Sequence, residues 1–140
     1  MSSIFSKIIK GEIPSYKIAE NEKFYAFLDI NPLAIGHTLV VPKQEIDYLF
    51  DIDNDLLQEY IVFAKKVALS IENNVPCKRI AMSVIGLDVP HAHIHLIPLQ
   101  TMDDVNFAKE RVKLTHEEFQ KIASQIEETF NLIYFINFVA

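Results

Sequence analysis

Apolar and polar positions along this chain follow two periods in turn. Ser3 to Lys10 carries Ile4, Ile8 and Ile9 at helical spacing. Ser3 can cap that helix, and Gly11 then Pro14 stop it. Tyr16 to Ala19 and Phe24 to Asp29 are strand-like, and the polar residues Glu20 to Glu22 between them signal a hairpin. Asn31-Pro32 and Gly36 mark a loop, and Thr38 to Val41 is a short apolar strand ended by Pro42. Leu56, Tyr60, Phe63, Val67 and Ile71 then recur at helical spacing behind the acidic start Asp53 to Asp55, and Asn73, Asn74 and Pro76 end that helix. Arg79 to Ile85 and His91 to Pro98 follow as two strands joined by a tight turn at Gly86. Thr115-His116-Glu117-Glu118 forms a capping box, opening a helix with Phe119, Ile122, Ile126 and Phe130 on one face. The tail, Leu132 to Ala140, is so apolar that it should be buried, in the chain or against a partner subunit.

Hairpins and short turns dominate this order. It predicts an α+β fold: a mostly antiparallel five-stranded sheet with helices packed on one face. No GxGxxG follows a strand, which argues against a dinucleotide-binding fold. With 140 residues and no repeat or linker, residues 1–140 are expected to form one domain. A net charge of -6 disfavours nucleic acid as a partner. No apolar run approaches the roughly 20 residues that span a membrane. The start lacks a secretory pattern, and one cysteine, Cys77, makes neither an internal disulfide nor a CxxC zinc site. A cytoplasmic location is the resulting expectation. As a lone thiol before a strand, Cys77 reads as core filler.

The chemistry concentrates in Pro90-His91-Ala92-His93-Ile94-His95-Leu96-Ile97-Pro98. In an extended chain, alternate residues share a face. His91, His93 and His95 therefore line one side, and Ala92, Ile94 and Leu96 pack on the other. Packing alone does not explain three imidazoles at period two, since each neutral ring needs a donor and an acceptor. A metal is one explanation, because HxH pairs are common ligands. At about 3.3 Å per residue, His91 and His95 stand roughly 13 Å apart, too far to share one ion. Two of the three could do so with a distant ligand such as His37 or His116. The other explanation is nucleophilic catalysis on a phosphate, with the central ring attacking and its neighbours reaching oxygens. A main-chain carbonyl or another ring would then fix the attacking tautomer. This route needs no metal or other cofactor. The spacing alone leaves both open.

His-Ala-His-Ile-His-Leu-Ile resembles the signature of the histidine-triad (HIT) superfamily. Further motifs carry the same resemblance, in the family's order: Ser3 to Ile9 with Gly11-Glu12-Ile13-Pro14, Ala26-Phe27-Leu28-Asp29-Ile30-Asn31-Pro32, and Gly36-His37-Thr38-Leu39-Val40-Val41-Pro42-Lys43. The branch it most resembles is that of the histidine-triad nucleotide-binding proteins, which are small nucleotide hydrolases. The resemblance implies an α+β homodimer acting on purine nucleotides or nucleotide conjugates. It implies His93 as the nucleophile, His95 on phosphate oxygens and the leaving side, and His91 as support. It also implies His37 beside the cluster, Asp29 on the ribose hydroxyls, and Ile4, Phe5, Phe27 and Ile30 around the base. Without it, those four read as core and Asp29 equally as a turn residue. Ser83 falls near the strand position where relatives often carry Asn. Leu87 and Asp88 depart from the pattern, standing where an amide and a hydroxyl side chain are usual.

The expected activity is hydrolysis at the α-phosphorus of nucleoside 5'-phosphate conjugates, phosphoramidates or adenylates, through a nucleotidyl-histidine intermediate. The alternatives are dinucleoside polyphosphate hydrolysis, and nucleotide binding with weak catalysis.

Overall fold

The computed structural model describes residues 2–139, with side-chain surroundings through residue 134. Its elements in chain order are α1 (Ile4–Ile9), β1 (Lys17–Glu20), β2 (Phe24–Leu28), β3 (Thr38–Pro42), α2 (Asn54–Glu72), β4 (Arg79–Ser83), β5 (Ile94–Leu99) and α3 (His116–Val139). The five strands form one sheet in the order β1-β2-β3-β5-β4. Every neighbouring pair is antiparallel. The first hairpin turns where Asn21 Oδ1 accepts from the main-chain N–H groups of Lys23 and Phe24. An Asx side chain bonding its own backbone stabilises such a turn.

The sheet buries both faces. Phe24, Ala26, Leu28, Val40, Ile94 and Leu96 point into the larger core, against Tyr60, Phe63, Val67 and Ile71 of α2 and Phe119, Ala123 and Ile126 of α3. Phe5 and Ile8 of α1 pack on the other face, against Tyr25, Phe27, Leu39 and Val41. The two long helices thus share one face, and the short α1 covers part of the second. Burial on both faces is why β2 and β3 read as continuous apolar runs rather than alternating ones.

Ser3 caps α1, its hydroxyl accepting from Ser6 N–H at 3.0 Å, and Gly11 follows with φ +79°. The face α1 buries is not the expected one. Phe5, Ser6 and Ile8 are inside, while Ile4 is 49% exposed. Asp53 caps α2. The capping box of α3 is formed reciprocally: Thr115 N–H donates to Glu118 Oε1, and Glu118 N–H to Thr115 Oγ1.

The histidine segment is not the continuous strand expected from His91. β5 begins only at Ile94, so His91 and His93 lie ahead of the ladder, and residues 84–93 form a longer connection than a tight turn. Pro90 has no N–H to extend the ladder, and Ala92 N–H donates instead to the Ile46 carbonyl at 2.7 Å. The alternation survives, because Ala92, Ile94 and Leu96 still share the large core. As far as Val139 the apolar tail forms the end of α3, where Leu132 is exposed against expectation; Ala140 lies outside the described residues. The side chains of residues 135–140 lie outside the described residues. Cys77 is half-buried, and burial raises its thiol pKa. Among the described residues no helix is long and apolar enough to cross a membrane.

Candidate active site

A cavity of about 370 Å³ opens between α1, the end of β2 and the 84–89 segment. Of the residues singled out above, Ile4, Phe5, Phe27, Asp29, Ile30, His93 and His95 line it. His91, His37 and Ser83 do not. His91 and His37 are fully buried behind the wall, each tied to a neighbour in the cluster. Ser83 pairs with His95 across the β4–β5 ladder, which places it beside the site but out of the cavity. Phe5 and Phe27 are buried as core residues would be, their rings edge-on at 5.6 Å. Ile4 and Ile30 are exposed at the cavity instead, Ile30 by 74%.

Hydrogen bonds fix the tautomers of His37, His91, His93 and His95. His93 Nδ1 lies 2.8 Å from the His91 carbonyl, which only accepts. His93 therefore carries its proton on Nδ1, leaving a lone pair on Nε2. His91 donates from Nε2 to the Pro42 carbonyl at 2.7 Å, so its Nδ1 accepts from the Ser3 hydroxyl at 2.7 Å. The main-chain N–H of Leu33 donates to His37 Nδ1 at 2.9 Å. His37 then carries its proton on Nε2 and donates it to His95 Nδ1 at 3.0 Å. His95 is left with an Nε2–H. Two adjacent rings with centroids 5.1 Å apart thus carry opposite functions, His93 a nucleophilic nitrogen and His95 a donor.

Local sequence explains each position. Gly36, at φ +90°, allows the turn into His37, and a Cβ there would meet Val75 Cγ2 at 3.0 Å. Asp29 serves as a turn residue and also faces the cavity. Its Oδ1 accepts from Asn31 N–H at 2.8 Å, and its Oδ2 lies 3.6 Å from His37 Nε2. Ser3 and Ser6 connect the triad to Glu45, whose Oε1 accepts from Ser3 N–H at 2.6 Å and the Ser6 hydroxyl at 2.7 Å. Those bonds, the Ser3 N–H foremost, hold the Glu45 carboxyl down at about 2. Asp29, His37 and His95 offer ligand atoms within 4.8 Å of one another, the set a divalent ion could use. His116 is not part of it, since its ring bonds the Tyr16 hydroxyl at 2.6 Å.

Burial lowers the pKa of His37 to about 4 and of His95 to about 3, and it lowers that of His91 as well. The folded values lie below the ordinary 6.5, so beneath that pH the unfolded chain takes up protons that the folded chain refuses. This contribution to stability is complete above pH 6.5 and is lost as pH falls toward 4 and 3. The thermal midpoint, followed by circular dichroism, is expected to drop steadily from pH 7 to pH 4. A midpoint flat across that window would contradict neutral burial of these rings.

Two lining residues were not legible in the sequence. Phe107 packs edge-on to His95 at 5.0 Å, and Arg111 sits beside it. Both belong to an aperiodic polar stretch, in which only an isolated aromatic residue hinted at burial. Val112 N–H brings that stretch in by donating to the Pro32 carbonyl at 2.9 Å.

Comparison with known proteins places this arrangement. The family model described as HIT domain matches residues 10–102. An uncharacterised HIT-like protein of Borreliella burgdorferi is 35% identical over 137 residues, covering 88% of this chain and 94% of its own. The adenosine 5'-monophosphoramidase HNT1 of Candida albicans is 43% identical over 110 residues, covering 69% of this chain and 70% of its own. The crystal structure of a Hit-like protein from Bartonella henselae superposes with a TM-score of 0.77 at 30% identity, covering 91% of this chain and 96% of that one.

Proposed function

The chain belongs to the HIT family, and from that premise we propose a hydrolase acting at the α-phosphorus of nucleoside 5'-phosphate conjugates, phosphoramidates first. One observation carries the proposal: the His91 carbonyl holds the Nδ1 proton of His93 and leaves Nε2 free at the cavity wall. The monophosphoramidase relative, at 43% identity, supports the choice of substrate.

In the proposed mechanism, His93 Nε2 attacks the α-phosphorus and the P–N bond breaks. The products are a nucleotidyl-imidazolium, with its Nδ1–H still on the His91 carbonyl, and the amine. His95 Nε2–H hydrogen-bonds the leaving nitrogen, which gains one proton from solvent. Water then attacks phosphorus, the N–P bond to His93 breaks, and one proton returns to solvent. Splitting one displacement into two is the gain of covalent catalysis. Asp29 Oδ2 accepts from the ribose hydroxyls, and Phe5, Phe27, Ile4 and Ile30 enclose the base. The half of the tautomer chain starting at Leu33 N–H keeps His95 a donor at the leaving atom.

Steady-state assays with adenosine phosphoramidate and a diadenosine polyphosphate test the proposal. A higher kcat/KM on the phosphoramidate is expected. Turnover of the polyphosphate alone would assign the alternative substrate class, and turnover of neither would leave a binding protein.

We also propose a homodimer through β4. It is an edge strand, and Met82, Val84 and Ile85 on or beside it are exposed. An open edge with apolar side chains is a pairing surface. Light scattering after size exclusion is expected to give a dimer, and Met82→Lys a shift toward monomer at micromolar concentration. A monomeric wild type would contradict this.

A further inference from the structure

The cavity has an electrostatic imbalance for a site that takes a phosphate. Its lining includes two carboxylates, Asp29 and Asp88, and one Lys or Arg side chain, Arg111. Burial lowers the pKa of His37, His91 and His95, which disfavours a positive charge on those three rings. The whole chain, at -6, repels anions at long range.

Arg111 is held without being neutralised. Its Nη1 donates to the Asn31 carbonyl at 2.8 Å and its Nη2 to the Phe107 carbonyl at 3.2 Å. The guanidinium lies 5.7 Å from the centroid of the Phe107 ring, which packs T-shaped with His95. Among the described residues no carboxylate forms an ion pair with it. Two of its five N–H donors are spent on carbonyls, leaving three. A guanidinium anchored by main-chain carbonyls beside a cavity is a preorganised oxyanion donor.

We propose that Arg111 is the fixed cation that recognises the phosphate charge of the nucleotide, a specificity role resting on the hydrolase assignment above. The region that supplies it lies after the last residue matched by the family model, at 102. Relatives that share the triad need not share this cation.

Calorimetric titration with adenosine and with adenosine 5'-monophosphate tests this on wild type, Arg111→Gln and Arg111→Lys. Wild type is expected to bind the monophosphate more tightly than the nucleoside. Arg111→Gln should lose about tenfold or more of monophosphate affinity with adenosine affinity unchanged, the size of a charge-assisted hydrogen bond. Arg111→Lys should recover part of the loss. Added salt should narrow the wild-type gap more than that of Arg111→Gln. An unchanged ratio in Arg111→Gln would overturn the proposal. So would equal weakening of both ligands with a lower thermal midpoint and no advantage for Lys, the mark of a purely structural clasp. Wild type binding neither ligand would also overturn it. Phosphoramidate turnover by wild type, measured alongside, fails independently: its absence sinks the hydrolase assignment and leaves the affinity ratio readable.

Discussion

His93→Ala is expected to lower turnover of a nucleoside phosphoramidate by at least about 10³-fold, with nucleotide affinity close to wild type. Removal of the ring deletes the attacking nitrogen, and no other side chain in the cavity offers an equivalent. His91 has both nitrogens engaged, with Pro42 and Ser3, and His95 Nδ1 is engaged by His37. The affinity expectation follows from the separation of parts. Phe5, Phe27 and Asp29 stand on α1, on β2 and just after β2; of the three, Phe5 packs edge-on against the His93 ring at 5.0 Å and is also held by Phe27 at 5.6 Å. Kinetics and calorimetry on the same preparation check both halves. Residual turnover within tenfold of wild type would remove His93 from the nucleophile's role.

The second large effect is on stability. Leu96→Ala is expected to cost about 2–5 kcal/mol, as for other leucines cut to alanine in closed cores. Leu96 is fully buried and sits in the centre of the sheet, opposite Thr38 of β3 and Met82 of β4. Strands on both sides leave the site little room to collapse. Against the roughly 5–15 kcal/mol by which domains are stable, such a loss matters. It also falls on the strand that carries His95, so the thermal midpoint and kcat should both drop. Urea denaturation of the variant checks the magnitude, and a change below about 1 kcal/mol would mean that the core around β5 is more yielding than its burial implies.

Much of the fold is written locally in the chain. α2 and α3 follow from their periodic apolar faces and from Asp53 and Thr115 at their starts. The triad was legible because alternation puts His91, His93 and His95 opposite Ala92, Ile94 and Leu96, and this holds even where the segment is not a regular strand. Features set by distant contacts were not legible. The late start of β5 depends on Ile46 taking the Ala92 N–H, a partner that the local pattern does not reveal. The exposure of Ile4 and Ile30 reflects the cavity they edge, whereas an apolar residue in a sequence reads first as core. Phe107 and Arg111 reach the site through the Val112 N–H bond to the Pro32 carbonyl and the Arg111 side-chain bond to the Asn31 carbonyl, across a stretch with no period at all.

The tautomer assignments were open in the sequence for a related reason. An imidazole's role depends on what holds its second nitrogen, and here the holders are a carbonyl two residues back, the serine that caps α1 and a main-chain N–H from the 29–37 loop. Together they set the tautomers: His93 holds its Nδ1 proton on a carbonyl with Nε2 toward the cavity, and His95 keeps its Nε2–H as a donor.

Covalent attack by His93 is tested most directly by the intact mass of the protein, taken milliseconds to seconds after mixing with adenosine phosphoramidate, beside His93→Ala. The expected result is a transient gain of one adenylate in wild type and none in the variant. Turnover without any adduct in wild type, or an adduct that persists in His93→Ala, would contradict it.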